Sequence, residues 1–305
     1  LALEVKTSLE KAGEKNTGDG MPASFHLEEM MKIPGLIDLT LKTTQQETEM
    51  VAEQLYLKPS MHILATRILG IAKEGALKVR EIVLNHTEGF EGSEFKHGPN
   101  TILGLNSIFG LDSIGELMTR LEEVLNFVLE HKKGEPLKPR GVLRMFKAIS
   151  EYAFKDLKPT YLSNEEKEIF DEVFKNFNIF GSLYDNYPLI FITTPRERDI
   201  NLTISQINTH KIRGANVYLI AEDNNDLREA VSVTPSSAFP YKYGYIVIPK
   251  TGSKIISIFA ITVVLQMLAF RMSLKKMQFM DRLEIANHGV HPDVPKNVSK
   301  SITVD

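Results

Sequence analysis

Three ionisable residues in one short stretch give the first sign of chemistry. In AKEGALKVREIV, Glu74, Lys78 and Glu81 recur at i, i+4 and i+7, so a helix would project all three from nearly one face. Such a face is either a solvated surface, where a Glu-to-Lys pair adds roughly 0.2–0.5 kcal/mol, or two carboxylates and an ammonium aimed at one ligand. Further on, GSEFKHGP places His97 directly before Gly98-Pro99, with Ser93 as an N-cap. The Gly-Pro step ends any helix there and leaves the imidazole accessible, and its ordinary pKa suits acid–base work near neutrality. His288 and His291 have H-x-x-H spacing, but the segment reads as a loop without a neighbouring acidic cluster, so no metal site is expected.

These residues need elements to hold them. Met61–Thr66 is a short apolar run bounded by Pro59 and Arg67, and Thr87–Phe90 reads as the next short strand. Between them, Ile71–Leu84 has helical periodicity, with Ala72, Ala76, Val79 and Val83 on the side opposite the charged triplet. Gly75 with Ala76 would permit close approach of a neighbouring backbone. Pro188–Thr194, Asn216–Glu222 and Tyr243–Pro249 are three further β-branched or aromatic runs. Helical segments follow the first (Asn201–Arg213) and the last (Ile255–Ala269). Short apolar strands alternating with helices predict a parallel sheet covered on both faces. The fold class is therefore α/β, an open doubly wound sheet of flavodoxin type with its ligand edge at the strand carboxyl ends.

Residues from about 111 to 187 break the alternation. Leu117, Leu121, Leu125 and Leu129 stack at i, i+4 spacing, Pro139 and Gly141 interrupt, and Ser163-Asn164-Glu165-Glu166 has the form of a capped helix start. This is a helical insertion into the sheet domain, with a regulatory or partner-binding module as the alternative. The first dozen residues read as the end of a helix, KNTGDGMPAS as a loop, and Ile33–Leu57 as a helix whose polar middle, TTQQETE, suggests an exposed connector.

Composition narrows the classes. The 305 residues are 43% apolar and 25% charged, the balance of a soluble globular protein. Lys+Arg 36 against Asp+Glu 39 gives a net charge of -3, so no nucleic-acid surface is expected. Cys is 0, which excludes thiolate metal sites, disulfides and a cysteine nucleophile, and fits a reducing, cytoplasmic compartment. The apolar stretch Ile255–Phe270, interrupted by Ser257 and Gln266, is shorter than the roughly 20 residues of a bilayer span. It reads as a buried core helix, and no membrane partner or signal peptide is expected.

EGALKVREI followed by SEFKHGP is similar to the second sugar isomerase (SIS) lobe of the glutamine–fructose-6-phosphate aminotransferases (glucosamine-6-phosphate synthases). PDVPKNVSKSITVD resembles that family's closing tail, D-x-P-R-N-L-A-K-S-V-T-V-E, and other SIS proteins lack this tail. The resemblance covers roughly residues 34–104 and 188–305. It implies a SIS-type sheet, no metal or organic cofactor, and a homodimer that handles fructose 6-phosphate and glucosamine 6-phosphate in hexosamine and UDP-N-acetylglucosamine biosynthesis. In that reaction the ketose is opened, ammonia is taken up at C2, and a proton moves from C1 to C2.

Residue by residue, the resemblance makes His97 the ring-opening histidine, lent across the dimer to the neighbouring subunit's site. Glu81 becomes the carboxylate that carries the C1/C2 proton, and Lys78 and Glu74 its companions on the helix face. Lys300 becomes the tail lysine that forms a Schiff base with the ketose, and Ser299 a substrate contact beside it. An amine reacts so only when deprotonated, so Lys300 is expected in a partly desolvated, cation-rich site, with Lys78 both depressing it and stabilising an enolate oxygen.

Departures from the family shape the expectation further. Without cysteine this chain cannot hydrolyse glutamine as the family does. The Ser/Thr-rich phosphate loops of the first SIS lobe have no counterpart: ATRILG and Thr193-Thr194-Pro195 are poor phosphate cradles. Nor has the helical insertion, and Lys296 stands where the family has Arg. The organisation expected is therefore the last helix of a first SIS lobe plus a helical linker over residues 1–60. A second SIS domain follows over 61–305, its active-site tail at about 279–305. A SIS-type regulatory or sugar-phosphate-binding module without turnover is the alternative from another class. A deglycase of amino-acid conjugates of sugar phosphates is the third reading, and it would not be expected to carry Lys300.

Overall fold

The computed structural model describes residues 30–103, 111–130, 139–155, 157–177, 179, 185–236 and 240–293. It divides into a sheet unit, residues 1–104 with 186–305, and a helical unit, residues 105–185. In the sheet unit the strands are β1 (Ser60–Ala65), β2 (His86–Glu91), β3 (Tyr187–Ile192), β4 (Ala215–Glu222) and β5 (Tyr243–Ile248). All neighbours pair in parallel, in the order β2-β1-β3-β4-β5. That order is the flavodoxin-type doubly wound sheet, with its topological switch between β1 and β3. The helices in chain order are α1 (Ile33–Thr43), α2 (Gln45–Leu55), α3 (Leu69–Lys78, continued by a π turn at Val79–Val83) and the short α4 (Gly92–Phe95). Then come α5 (Leu111–Glu130), α6 (Pro139–Lys155), α7 (Asn164–Asn176), α8 (Glu197–Lys211), α9 (Asn225–Ser232) and α10 (Lys254–Arg282).

Strand alternation decides what each face holds. Met61, Ile63 and Ala65 of β1 share a core with Ile190, Ile192, Ile220 and Ile246 and with the Ile261, Val264, Leu265 and Leu268 stripe of α10. His62 takes the other face, packed near Phe95 of α4. α10 starts cleanly because the Ser253 hydroxyl accepts the Ile256 N–H, and it runs 29 residues, beyond the apolar stretch visible in the sequence. By length and composition it could cross a membrane; in this fold its apolar stripe closes one face of the sheet.

The exposed-connector expectation for Ile33–Leu57 is corrected. The chain breaks at Thr44 into two helices, and Val51, Ala52 and Leu55 of α2 lie in the sheet core. Threonine makes this possible: Thr40 and Thr44 bury fully while their hydroxyls donate to the carbonyls of Leu36 and Thr40 (2.7 and 2.8 Å). A polar-looking sequence thus presents an effectively apolar face.

Close approach is set by Gly89, not only by Gly75. A Cβ on Gly89 would lie 2.5 Å from the Lys73 N and 2.6 Å from the Ala72 C, both backbone atoms. A Cβ on Gly75 would meet the side chains of Leu265 and Ile63 rather than a neighbouring backbone. Backbone cannot yield as a side chain does, so Gly89→Ala should cost about 2–3 kcal/mol, read as a fall in the urea-unfolding free energy. An unchanged midpoint would mean that α3 can lift off β2 freely.

The helical unit has its own core of Val124, Val128, Met145, Ile149, Ile169, Phe170 and Val173. The buried stripe of α5 centres on Val124 and Val128, and Leu129 is exposed. Leu117 and Leu121 also pack against this core, but a strict four-residue repeat drifts off the face of a 3.6-residue helix, so the leucine stack leaves the core stripe by Leu129. α7 begins with a complete capping box, the Ser163 hydroxyl accepting the Glu166 N–H and the Glu166 carboxylate accepting the Ser163 N–H.

Candidate active site

α3 is pinned along its length by Gly75 against α10 and by Gly89 against its own backbone. Its Ala72, Ala76, Val79 and Val83 stripe is buried, which leaves Glu74, Lys78 and Glu81 on the outer side. The Lys78 ammonium lies 3.0 Å from Glu81 and 3.6 Å from Glu74, with the three side chains between 20% and 37% exposed. This is neither a fully solvated ion pair nor a buried one. Hydrogen bonding to Glu81, reinforced by the charge of Glu74, holds the Lys78 ammonium above its ordinary range. Lys78 is therefore a fixed cation, suited to stabilising an oxyanion.

Glu81 sits at the centre of the π turn, which ends where Leu84 turns left-handed (φ 61°) and its N–H donates to the Val79 carbonyl at 3.2 Å. A single π turn inside a helix is frequent at functional sites. VREIV is as compatible with a regular helix as with this turn, so nothing in the sequence announces it.

Lys78 and Glu81 open into a cavity of about 730 Å³ walled by α1 (Ile37, Leu41) and by α10 (Gln266, Phe270, Arg271), with Pro292 at its rim. The polar wall residues Gln45, Gln266 and Arg271 escaped the sequence reading. Gln266 shows there only as an interruption of an apolar run. Arg271 pairs with Glu49 at 3.6 Å and Lys275 with Glu49 and Glu53 at 2.7 and 2.6 Å, fastening α2 to α10 beside the cavity.

His97 is exposed and lies elsewhere, in the turn after α4, where its N–H donates to the Glu94 carbonyl. Glu81 precedes the start of β2 and His97 follows its end, so the strand separates them by roughly 20 Å along its axis. One chain does not bring them together. Ser93 lies inside α4 rather than capping it. Ser299 and Lys300 lie outside the described residues. The segment read as a tail from 279 begins instead as the last turn of α10.

At the carboxyl edge of the sheet, three turns bind the chain's own carboxylates. After β1, the Arg67 N–H donates to both oxygens of Glu91 (3.0 and 3.2 Å). After β3, Asp199 accepts the Thr194 hydroxyl at 2.6 Å and pairs with Arg67 at 3.4 Å. After β5, Glu222 accepts the Thr251 and Gly252 N–H groups (2.9 and 3.2 Å) where α10 begins. These three turns are internally occupied, and Lys78 and Glu81 lie toward the opposite edge of the sheet.

Among the described residues no group of three His, Cys, Asp or Glu is placed to hold a metal. His288 and His291 organise local turns: their Nδ1 atoms accept the N–H groups of Val290 and Asp293, and His288 Nε2 lies 3.0 Å from Asp281.

No protein-family model matches the chain. It is 40% identical over 101 residues to glutamine–fructose-6-phosphate aminotransferase [isomerizing] of Aquifex aeolicus, covering 31% of this chain and 17% of that one. The protein of the same name from Sulfurisphaera tokodaii is 31% identical over 101 residues (33% and 17%). That of Bacteroides thetaiotaomicron is 29% identical over 133 residues (40% and 22%). The matched segments thus span less than a quarter of these relatives. Among solved structures, the C-terminal domain of glucosamine-fructose-6-phosphate aminotransferase from Francisella tularensis aligns with a TM-score of 0.48 and 16% identity, over 85% of this chain and 48% of that one. Over segments of about a hundred residues, the chain is similar in sequence to proteins named as isomerizing aminotransferases, and its own sheet has the doubly wound order that the sequence predicts.

Proposed function

We propose that the Lys78–Glu81 cavity is the isomerase-side site of a cytoplasmic enzyme that makes glucosamine 6-phosphate from fructose 6-phosphate and ammonia. The observation that carries this reading is the Lys78–Glu81 pair held at 3.0 Å on a π turn at the mouth of a cavity of sugar-phosphate size. The names of the sequence relatives supply the substrate. Ammonia adds at C2 of the Schiff base that Lys300 forms with the open-chain ketose, and the Lys300 amine leaves. Glu81 takes a proton from C1 and returns it to C2, a transfer that a flexible carboxylate can make to both carbons. Lys78 faces the oxygen on which negative charge develops. Glu74 keeps Lys78 charged and oriented.

His97 opens the ring from across a homodimer, which fits its distance from Glu81 in one chain. Lys300 joins the site from the tail beyond Pro292, with Ser299 as a substrate contact beside it. The Lys300 amine adds to the C2 carbonyl and loses water to give a Schiff base.

The test is the full-length protein with fructose 6-phosphate and ammonia in D2O. Solvent deuterium should enter at C1 of recovered ketose or C2 of the product, and borohydride should trap the sugar on Lys300. Lys300→Arg should lower turnover by about tenfold to a hundredfold, because guanidinium stays protonated. Sugar-phosphate binding without deuterium exchange would instead make this a binding module, and an untrapped, fully active Lys300→Arg variant would remove Lys300 from the reaction.

A further inference from the structure

We infer that Ser273 and Lys276 of α10 are positioning residues that hold the carbonyls of the π turn and so fix the register in which Glu81 faces the cavity. This inference rests on the reading of Glu81 as the proton carrier. The π turn closes with an i to i+5 bond, Leu84 N–H to Val79 O. The carbonyls of Ile82 and Val83 come at the helix end, where no further helical N–H follows to meet them. α10 supplies both partners. The Ser273 hydroxyl donates to Ile82 O at 2.8 Å, and the Lys276 ammonium donates to Val83 O at 3.0 Å and also to the Asn85 side-chain carbonyl. Asn85 in turn donates to Tyr56 O at 3.1 Å, which ties the turn to the end of α2.

Ser273 is fully buried and Asn85 is 2% exposed, so losing a partner here leaves a carbonyl unsatisfied rather than hydrated. An ammonium at a helix carboxyl end also meets a favourable dipole. Burial pulls the Lys276 ammonium down to about 8. The same two helices that clamp the turn, α3 and α10, also wall the cavity. Return of the turn to α-helical register rotates residues across it by roughly 100°, which moves the Glu81 carboxylate relative to the α10 wall.

The experiment uses the full-length protein with fructose 6-phosphate and ammonia, plus amide hydrogen exchange. Ser273→Ala and Lys276→Met should each lower kcat about tenfold or more, as expected of a small misplacement of a reacting group, with KM for fructose 6-phosphate unchanged within twofold. Exchange at residues 82–85 should accelerate while β3 and β4 stay protected, and Lys276→Arg, which keeps donors at Val83 O, should recover part of kcat. Unchanged exchange at the turn overturns the clamp. Faster exchange in β3 and β4 as well makes the role merely structural and also overturns it. Glu81→Gln, run in parallel, separates the two readings. If it is inactive while both clamp variants are fully active, only the positioning inference falls. If it is fully active, the proton-carrier reading falls and takes the positioning role with it.

Discussion

Glu81→Gln in the full-length protein is expected to lower kcat for glucosamine 6-phosphate formation by about 10²- to 10⁴-fold, the range for loss of a positioned general base. The amide keeps the size and the acceptor oxygen of the carboxylate, so it still meets Lys78, but it cannot carry a proton between two carbons. Stability should barely change. The Lys78–Glu81 pair is partly exposed, and ion pairs of that kind contribute on the order of 0.2–1 kcal/mol. Lys78 should respond in its own way. Its hydrogen bond to Glu81 is the main reason its ammonium is held high, so its titration should move back toward the ordinary lysine range in the variant. That shift is measurable by NMR on the Lys78 side chain. Activity within twofold of the parent would show that proton transfer is done elsewhere.

How much of this was legible in the sequence depends on how local the physics is. The central strands β3 and β4 read directly from β-branched or aromatic runs because a parallel sheet buries both faces there: all six residues of β3 and all eight of β4 are buried. α9 did not read, because NDLREAVS offers only Leu227, Ala230 and Val231 as a buried face, too short a pattern for periodicity to register. The Ile33–Leu57 segment was misjudged because Thr40 and Thr44 conceal their polarity by bonding back to the helix carbonyls. The charged face of α3 was legible because Glu74, Lys78 and Glu81 obey helical spacing. The cavity they enter was not, since its opposite wall comes from Gln266 and Arg271, nearly two hundred residues away. The occupied turns were not legible for the same reason: Glu91, Asp199 and Glu222 reach back to turns that look vacant when each is read alone.

The stability of the sheet unit should fall steeply between pH 6.5 and 4, and two buried histidines should carry much of that loss. His62 is 6% exposed and His210 is fully buried. Burial is the first cause in each case, and both imidazoles are pushed down from 6.5 to about 4. For His210, the nearby charges of Lys96 and Arg213 add to the effect. Neither ring nitrogen of His210 has a hydrogen-bond partner among the described residues, and Phe95 and Phe191 lie against the ring. His62 Nδ1 lies 2.8 Å from the Tyr187 hydroxyl, whose own proton is held by burial up to about 12. The tyrosine therefore keeps its proton, and its hydroxyl lies between His62 and the Ser60 hydroxyl 2.7 Å away. The folded state refuses a proton that the unfolded chain accepts below pH 6.5. Stability from these sites is thus complete above that pH and lost as pH falls toward 4, by roughly 3 kcal/mol for each histidine. Carboxylates titrate in the same window, so the decisive measurement is a difference between proteins. His210→Leu, close in volume and without a proton to take up, should lose markedly less urea-unfolding free energy from pH 7.5 to 4.5 than the parent. If parent and variant lose the same amount, His210 is already protonated or solvated in the folded chain, and the acid sensitivity belongs to other groups.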